Sequence, residues 1–205
     1  IVGSLTQKLK EINQFENTII MFTSDNGVTY LDQVDSGFFN SSAMFSDDID
    51  MVKQSLYEGG IRVPSFVTWP RKIKEGSFSN HISSTQDFYA TILDLFKIKK
   101  PNHITGLSFL PTLLGKKQNK HEYLYWETNS RQGQQALRMD KWKAIRRNIA
   151  TGNKEIELFD LTLDSKEKND VSKSNLDVIS QIEIIFKEAR TTPTLKNFYI
   201  KGLDF

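Results

Sequence analysis

Two short stretches of this sequence carry side chains suited to binding a cation and an anion. In the first, Asp25 and Asn26 follow an apolar, β-branched run from Thr18 to Phe22. A carboxylate beside a carboxamide supplies two hard oxygen donors and no thiolate or imidazole, which suits Ca²⁺ or Mg²⁺ better than Zn²⁺. On this stretch alone, an ordinary Asp-Asn-Gly turn after a strand is an equally good interpretation.

The second stretch runs from Lys53 to Pro70 and begins with a point charge suited to an anion. Gly59 and Gly60 allow close backbone approach, and the segment Val63 to Trp69 predicts a second short buried strand. The run before Asp25 predicts a strand buried on both faces, as in a parallel sheet. Ligands of open α/β sheets usually bind at the carboxyl ends of such strands.

Together the two stretches resemble the sulfatase family, within the alkaline-phosphatase-like superfamily. The resemblance lies in the motif SDNG at residues 24–27, then Lys53, the motif YEGGIRVP at residues 57–64 and the dipeptide WP at residues 69–70, in that order. It implies that Asp25 and Asn26 are two ligands of one divalent cation, Ca²⁺ with Mg²⁺ as the alternative. It also implies that Lys53 contacts the sulfate.

Two further residues of these motifs have implied roles. Glu58 and Arg62 look like scaffold residues that form an ion pair, and we do not expect them to be catalytic. Relatives that use two zinc ions typically carry a histidine after the motif aspartate, so Asn26 favours the sulfatase branch.

By the same resemblance, the activity is that of a sulfuric ester hydrolase acting on a sulfated small molecule or a sulfated carbohydrate. Relatives carry a formylglycine nucleophile, made from the Cys or Ser of a Cys/Ser-x-Pro/Ala-x-Arg signature, before this region. The 205 residues contain no cysteine and no such signature. We therefore expect a C-terminal portion of a sulfatase, inactive alone, whose partner is the N-terminal part of the same enzyme.

Two other functions remain open. One is a non-catalytic binding or interaction module derived from a sulfatase. The other is a phosphate or phosphonate ester hydrolase of the same superfamily, which two bound zinc ions would reveal.

Composition excludes several classes of partner. The 27 basic residues nearly balance the 25 acidic ones and are scattered along the chain, so no nucleic-acid partner is expected. No apolar run reaches membrane-spanning length, and no signal segment is recognisable. Resemblance to the family places the protein in a periplasm, outside the cell or in a lysosome.

The expected fold class is α/β, in two parts. Residues 1–115 form the C-terminal portion of an alkaline-phosphatase-like sandwich, a mixed sheet with flanking helices. Residues 116–205 form a small antiparallel sheet with one covering helix and a tail. Its strands are predicted from alternating or aromatic runs, at residues 123–127, 135–139, 142–147 and 157–161. The apolar residues between Leu176 and Ala189 predict the covering helix.

The remaining segments give weaker predictions. Residues 1–14 have the spacing of an amphipathic helix, and a second helix should present Phe88, Ile92, Leu95 and Phe96 on one face. Residues 28–52 form a polar loop that we expect to line the mouth of the active site. From Thr191 the pattern is lost, as in a frayed terminus or a segment that packs against another part of the enzyme.

The three histidines are weak candidates for chemistry. His81, His103 and His121 are far apart and lack the i, i+4 spacing of a metal site. His103 and His121 are the better candidates, since family loops in this region can reach the substrate. The three tryptophans, Trp69 among them, are better explained as packing residues.

Overall fold

The computed structural model describes residues 1–29, 38, 44–46 and 48–204. Most of the predicted active-site loop at residues 28–52 therefore lies outside the described residues. The chain divides into two compact units, one of residues Ile1–Thr23 and Pro64–His121, the other of residues Ser24–Val63 and Glu122–Phe205. The predicted division near residue 115 stays a prediction.

The first unit contains a helix, a two-stranded sheet and two further helices. Helix α1 spans Val2–Glu11, and strands β1 (Ile20–Thr23) and β2 (Ser65–Thr68) pair antiparallel. Helices α3 and α4 span Gln86–Leu95 and Leu110–Leu113. Helix α2, at Glu58–Ile61, belongs to the second unit.

Strand β1 differs from its prediction. Its described partner is the antiparallel β2, and Phe22 and Thr23 are exposed. Within the described residues the strand is therefore not buried on both faces, and a parallel partner stays a prediction. An apolar run indicates a strand, but the direction of its partner depends on which segment returns beside it. Phe22 instead stacks on Phe66 across the pair, with ring centroids 4.8 Å apart.

Helix α3 buries a more polar face than its apolar residues predict. Ile92 and Phe96 are exposed, whereas Asp87 and Thr91 are fully buried. The Asp87 carboxylate accepts hydrogen bonds from the backbone N–H groups of Ser84 at 2.8 Å and of Leu107 at 2.7 Å. Burial of these polar groups is tolerated because they satisfy backbone donors of the neighbouring loop.

The second unit is built on a four-stranded antiparallel sheet in the order β3-β4-β5-β6. The strands are found within one residue of their predicted positions, at Leu124–Thr128, Gln134–Met139, Trp142–Arg146 and Glu157–Asp160. Helix α5 spans Leu176–Ala189, as predicted.

The two faces of this sheet carry different cores, because alternate side chains point to opposite faces. On one face, Leu137, Ala144 and Leu158 pack with Ile182 and Phe186 of α5. On the other face, Ala136, Ile145 and Phe159 pack with Leu56 and Tyr57. The segment that follows Lys53 is thus part of the core of the sheet.

The C-terminal tail is packed on its own unit, so the frayed terminus is not found, and packing against another part of the enzyme stays a prediction. Ile200 is buried and lies against Gly133. The carboxylate of Asp204 accepts two bonds from Arg190 Nη2, at 2.7 and 2.8 Å. Periodicity cannot find such a segment, because it is held by separated contacts and not by a repeating apolar face.

Two isoleucines of α5 give a matched test of this core. Ile182 is fully buried, whereas Ile184 is 56% exposed. We expect Ile182→Ala to lower the free energy of unfolding by about 2–5 kcal/mol, because it leaves a cavity in a packed core. Ile184→Ala should change it by less than about 1 kcal/mol. Denaturant unfolding of both variants measures the difference, and equal losses would contradict the described packing.

Candidate functional site

The site begins where the loop after β1 meets the segment that carries Lys53. The backbone N–H of Gly27 donates to the carbonyl oxygen of Gly60 at 2.9 Å, and that of Lys53 donates to the carbonyl oxygen of Val28 at 2.9 Å. A Cβ atom on Gly27 would overlap the carbonyl oxygen of Gly59. The glycine at position 27 therefore allows the two backbones to touch.

This contact brings together the three residues predicted to form the site. Asp25 is exposed, its carboxylate accepts a hydrogen bond from the Asn26 side chain, and Lys53 lies near enough for its charge to act on that carboxylate. A hydrogen bond from the Asn26 side chain and the positive charge of Lys53 lower the pKa of the Asp25 carboxyl below its usual value. The carboxylate is therefore ionised at neutral pH and remains open to solvent.

The donor set fits part of a hard-cation site. Asp25 and Asn26 offer two oxygen donors, and Ca²⁺ takes six to eight of them. In the described ranges there is no group of three or more His, Cys, Asp or Glu residues that could hold a metal ion. A cation bound here would need further oxygen ligands beyond these two residues.

Behind the site, α2 is anchored by a buried lysine. Lys143, on β5, is fully buried, and its Nζ lies 2.8 Å from Glu58 Oε1 and 3.5 Å from Glu167 Oε1. The other oxygen of Glu167 accepts the backbone N–H of Glu58 at 2.6 Å. The predicted pair of Glu58 with Arg62 is present at 3.5 Å, on the more exposed side.

The two carboxylates of this cluster have opposite pKa shifts. Burial would raise the pKa of Glu58, but the charges of Lys143 and Arg138 outweigh burial and hold it below its usual value. Burial raises the pKa of Glu167 to about 7, and the charge of Lys143 only partly offsets that rise. Among the described residues, Glu58 forms ion pairs with Arg62, Arg138 and Lys143. By contrast, Glu167 is paired with Lys143 and also faces the negative charge of Glu58, which raises its pKa.

The three histidines lie away from Asp25 in sequence, and a part in the chemistry stays a prediction for each of them. His121 Nε2 lies 2.9 Å from Asp87 Oδ2, so this histidine pairs with the buried carboxylate of α3. His103 is exposed. Burial lowers the pKa of His81, which is half-buried.

Sequence reasoning missed the residues that support the site from the sheet. Lys143 and Glu167 hold α2, and Arg131 donates to the backbone carbonyl groups of Asp50 and Lys53. A lysine within the apolar strand β5 is the one signal that could have indicated a buried charge. Arg131 and Glu167 lie in polar segments, where nothing distinguishes them from solvated residues.

Two family models match the sequence. The model described as N-sulphoglucosamine sulphohydrolase, C-terminal, matches residues 50–191, and the model described as sulfatase matches residues 1–98. The fold is that of the alkaline-phosphatase-like hydrolases, as shown by the solved structures described below. The chain belongs to the sulfatase family.

Curated relatives share this family. The chain is 31% identical to the N-acetylgalactosamine-6-sulfatase of Mus musculus over 63% of its length and 24% of that protein. It is 28% identical to the N-acetylgalactosamine-6-O-sulfatase of Bacteroides thetaiotaomicron over 93% of its length and 40% of that protein. The chain thus spans well under half the length of these relatives.

Solved structures share the fold. A structure from work on the metabolism of multiple glycosaminoglycans by Bacteroides thetaiotaomicron superposes with a TM-score of 0.75 at 28% identity, over 92% of this chain and 42% of that chain. Ps i-CgsB in complex with k-i-k-neocarrahexaose gives 0.74 at 29% identity, over 92% of this chain and 40% of that chain. Among the described residues, no helix is both long and apolar enough to span a membrane.

The buried Glu167 predicts a pH dependence of stability. Its pKa is about 7 in the folded chain against 4.5 for a free glutamate, so the folded state binds the proton more tightly. The stabilisation of the folded state by the proton on Glu167 is fully present below pH 4.5 and is lost as the pH rises to 7. The free energy of unfolding of the wild type, relative to Glu167→Gln, should fall by roughly 2–3 kcal/mol over that range.

Denaturant unfolding at pH 4.5, 5.5, 6.5 and 7.5 measures this difference. Glu183→Gln, measured at the same pH values, is the matched control, since the Glu183 side chain is 51% exposed. A flat difference for Glu167→Gln would contradict the raised pKa, because it would show that the folded and unfolded states bind this proton equally.

Proposed function

We propose that this chain carries part of the divalent-cation and sulfate site of a sulfuric ester hydrolase. The observation that carries the proposal is the meeting of Asp25, Asn26 and Lys53, brought about by close backbone packing at Gly27. Family membership supports the reaction class. The nucleophile is expected outside these 205 residues, which contain no cysteine.

The three side chains would bind groups of opposite charge. Asp25 and Asn26 would hold a Ca²⁺ or Mg²⁺ ion through their oxygens. The bound cation would supply positive charge that offsets the charge of the sulfate oxygens. Lys53 would place a second positive charge on the same anion.

The substrate class follows from the names of the relatives. Two of them are named as 6-sulfatases of N-acetylgalactosamine and a third as one of N-acetylglucosamine. We therefore propose a sulfated carbohydrate as the substrate of the whole protein. Its location in a periplasm, outside the cell or in a lysosome stays a prediction.

Two measurements on the protein purified from its source test the reaction class. One is hydrolysis of 4-nitrophenyl sulfate with added Ca²⁺, and the other is the intact mass of the protein. A mass well above 23.6 kDa together with hydrolysis supports the proposal. Preference for a phosphate ester and two bound zinc ions would indicate the phosphohydrolase alternative. Cation binding without turnover would indicate a binding module.

Loss of Asp25 should abolish both metal binding and activity. In the active protein we expect Asp25→Ala to remove most of the Ca²⁺ affinity, measured by calorimetry, and to leave no detectable hydrolysis. Asp177→Ala is the matched control, because Asp177 is an exposed aspartate in the first turn of α5. Wild-type affinity and rate in Asp25→Ala would refute the assignment of this ligand.

Loss of Lys53 should lower turnover but leave the cation bound. Removing one preorganised group that stabilises the transition state costs a factor of about 10²–10³ in kcat, and we expect this loss in Lys53→Ala. The Ca²⁺ affinity should stay near the wild-type value. Lys187→Ala, which removes an exposed lysine of α5, is the control for net charge. A normal kcat in Lys53→Ala would exclude its contact with the sulfate.

A further inference from the structure

The backbone of Lys53 is held on both sides. Its N–H donates to the carbonyl oxygen of Val28 at 2.9 Å. Its own carbonyl oxygen accepts from Arg131 Nη2 at 3.5 Å, while Arg131 Nη1 donates to the carbonyl oxygen of Asp50 at 2.7 Å. One guanidinium group therefore bridges two turns of the segment that presents Lys53.

The residue after Lys53 has a backbone conformation that needs support. Gln54 has a φ angle of 74°, in the left-handed region that costs free energy for any residue with a Cβ atom. The buried Gln134 holds this turn with both ends of its amide. Its Nε2 donates to the carbonyl oxygen of Gln54 at 3.0 Å, and its Oε1 accepts the N–H of Leu56 at 3.3 Å.

The connection between β3 and β4 is itself strained. Arg131, Gln132 and Gly133 have φ angles of 50°, 64° and 84°, and only the last of these is a glycine. Such backbone persists where surrounding contacts determine it, and it is concentrated at functional sites. Here the strained connection places the side chains of Arg131 and Gln134 against the Lys53 segment.

We propose that Arg131 and Gln134 are positioning residues for Lys53, which hold the left-handed turn at Gln54 and so fix the lysine beside Asp25. The effect of these residues on catalysis rests on the proposed function of Lys53. Their role in holding the backbone of the Lys53 segment does not depend on that function. Neither residue needs to touch the substrate. The sheet thereby determines where the positive charge stands relative to the cation ligands.

Hydrogen exchange of the full chain tests the structural part without any activity. In Arg131→Ala we expect the Lys53 amide to exchange about tenfold faster, because its segment opens locally. The amides of β5, Trp142–Arg146, should keep their protection. Arg190→Ala is the control, since it removes an arginine that bonds Glu127 and Asp204 and should leave the Lys53 amide unchanged.

A second substitution tests the turn itself. Glycine adopts positive φ without a Cβ penalty, so Gln54→Gly combined with Arg131→Ala should restore much of the lost protection at Lys53. Unchanged exchange at Lys53 in Arg131→Ala would overturn the proposal. An equal increase across β5 would overturn it too, because it would show global destabilisation. Failure of Gln54→Gly to restore protection would contradict the role of the turn.

A double-mutant cycle in the active protein tests the functional part. If Arg131 acts through Lys53, Arg131→Ala should lower kcat about tenfold in the wild type and have almost no effect in Lys53→Ala. Equal effects in both backgrounds would overturn the positioning role. A normal rate in Lys53→Ala would instead refute the proposed function, while the exchange experiment would still decide whether Arg131 holds the segment.

Discussion

The second unit depends on the contacts of one buried lysine with two buried carboxyl groups. Lys143 lies on the middle of the sheet with no exposed surface, 2.8 Å from Glu58 and 3.5 Å from Glu167. Removing a charge from water is costly, and the cost is offset only when partners are close and well bonded. Here each carboxylate belongs to a different segment, so the pairing requires α2, β5 and the loop after β6 to meet.

This constraint explains why the candidate site has a fixed backbone. Glu58 begins α2, and the next two residues are the glycines that contact the loop of Asp25 and Asn26. The segment of Lys53 enters the same region and packs Leu56 and Tyr57 against the sheet. The charged residues of the candidate site thus lie on segments whose neighbouring residues are buried in the core of the unit.

Much of the site could be predicted from the sequence, because its motifs are local. The oxygen donors, the lysine and the glycines lie in short runs whose chemistry is visible without a structure, and the four strands of the sheet have alternating patterns. The supporting residues could not be predicted. Arg131 lies 78 residues from Lys53 and Glu167 lies 109 residues from Glu58, and nothing local marks either one as a partner.

The sequence by itself determined the family, the strands and helix of the second unit, and the residue types proposed for the cation and sulfate site. The tertiary structure alone decided the antiparallel pairing of β1, the buried polar face of α3, the packing of the tail and the supports of Lys53. The physical reason is that propensity and periodicity act over a few residues. Long-range charge pairs and hydrogen bonds exist only when the folded chain brings their segments together.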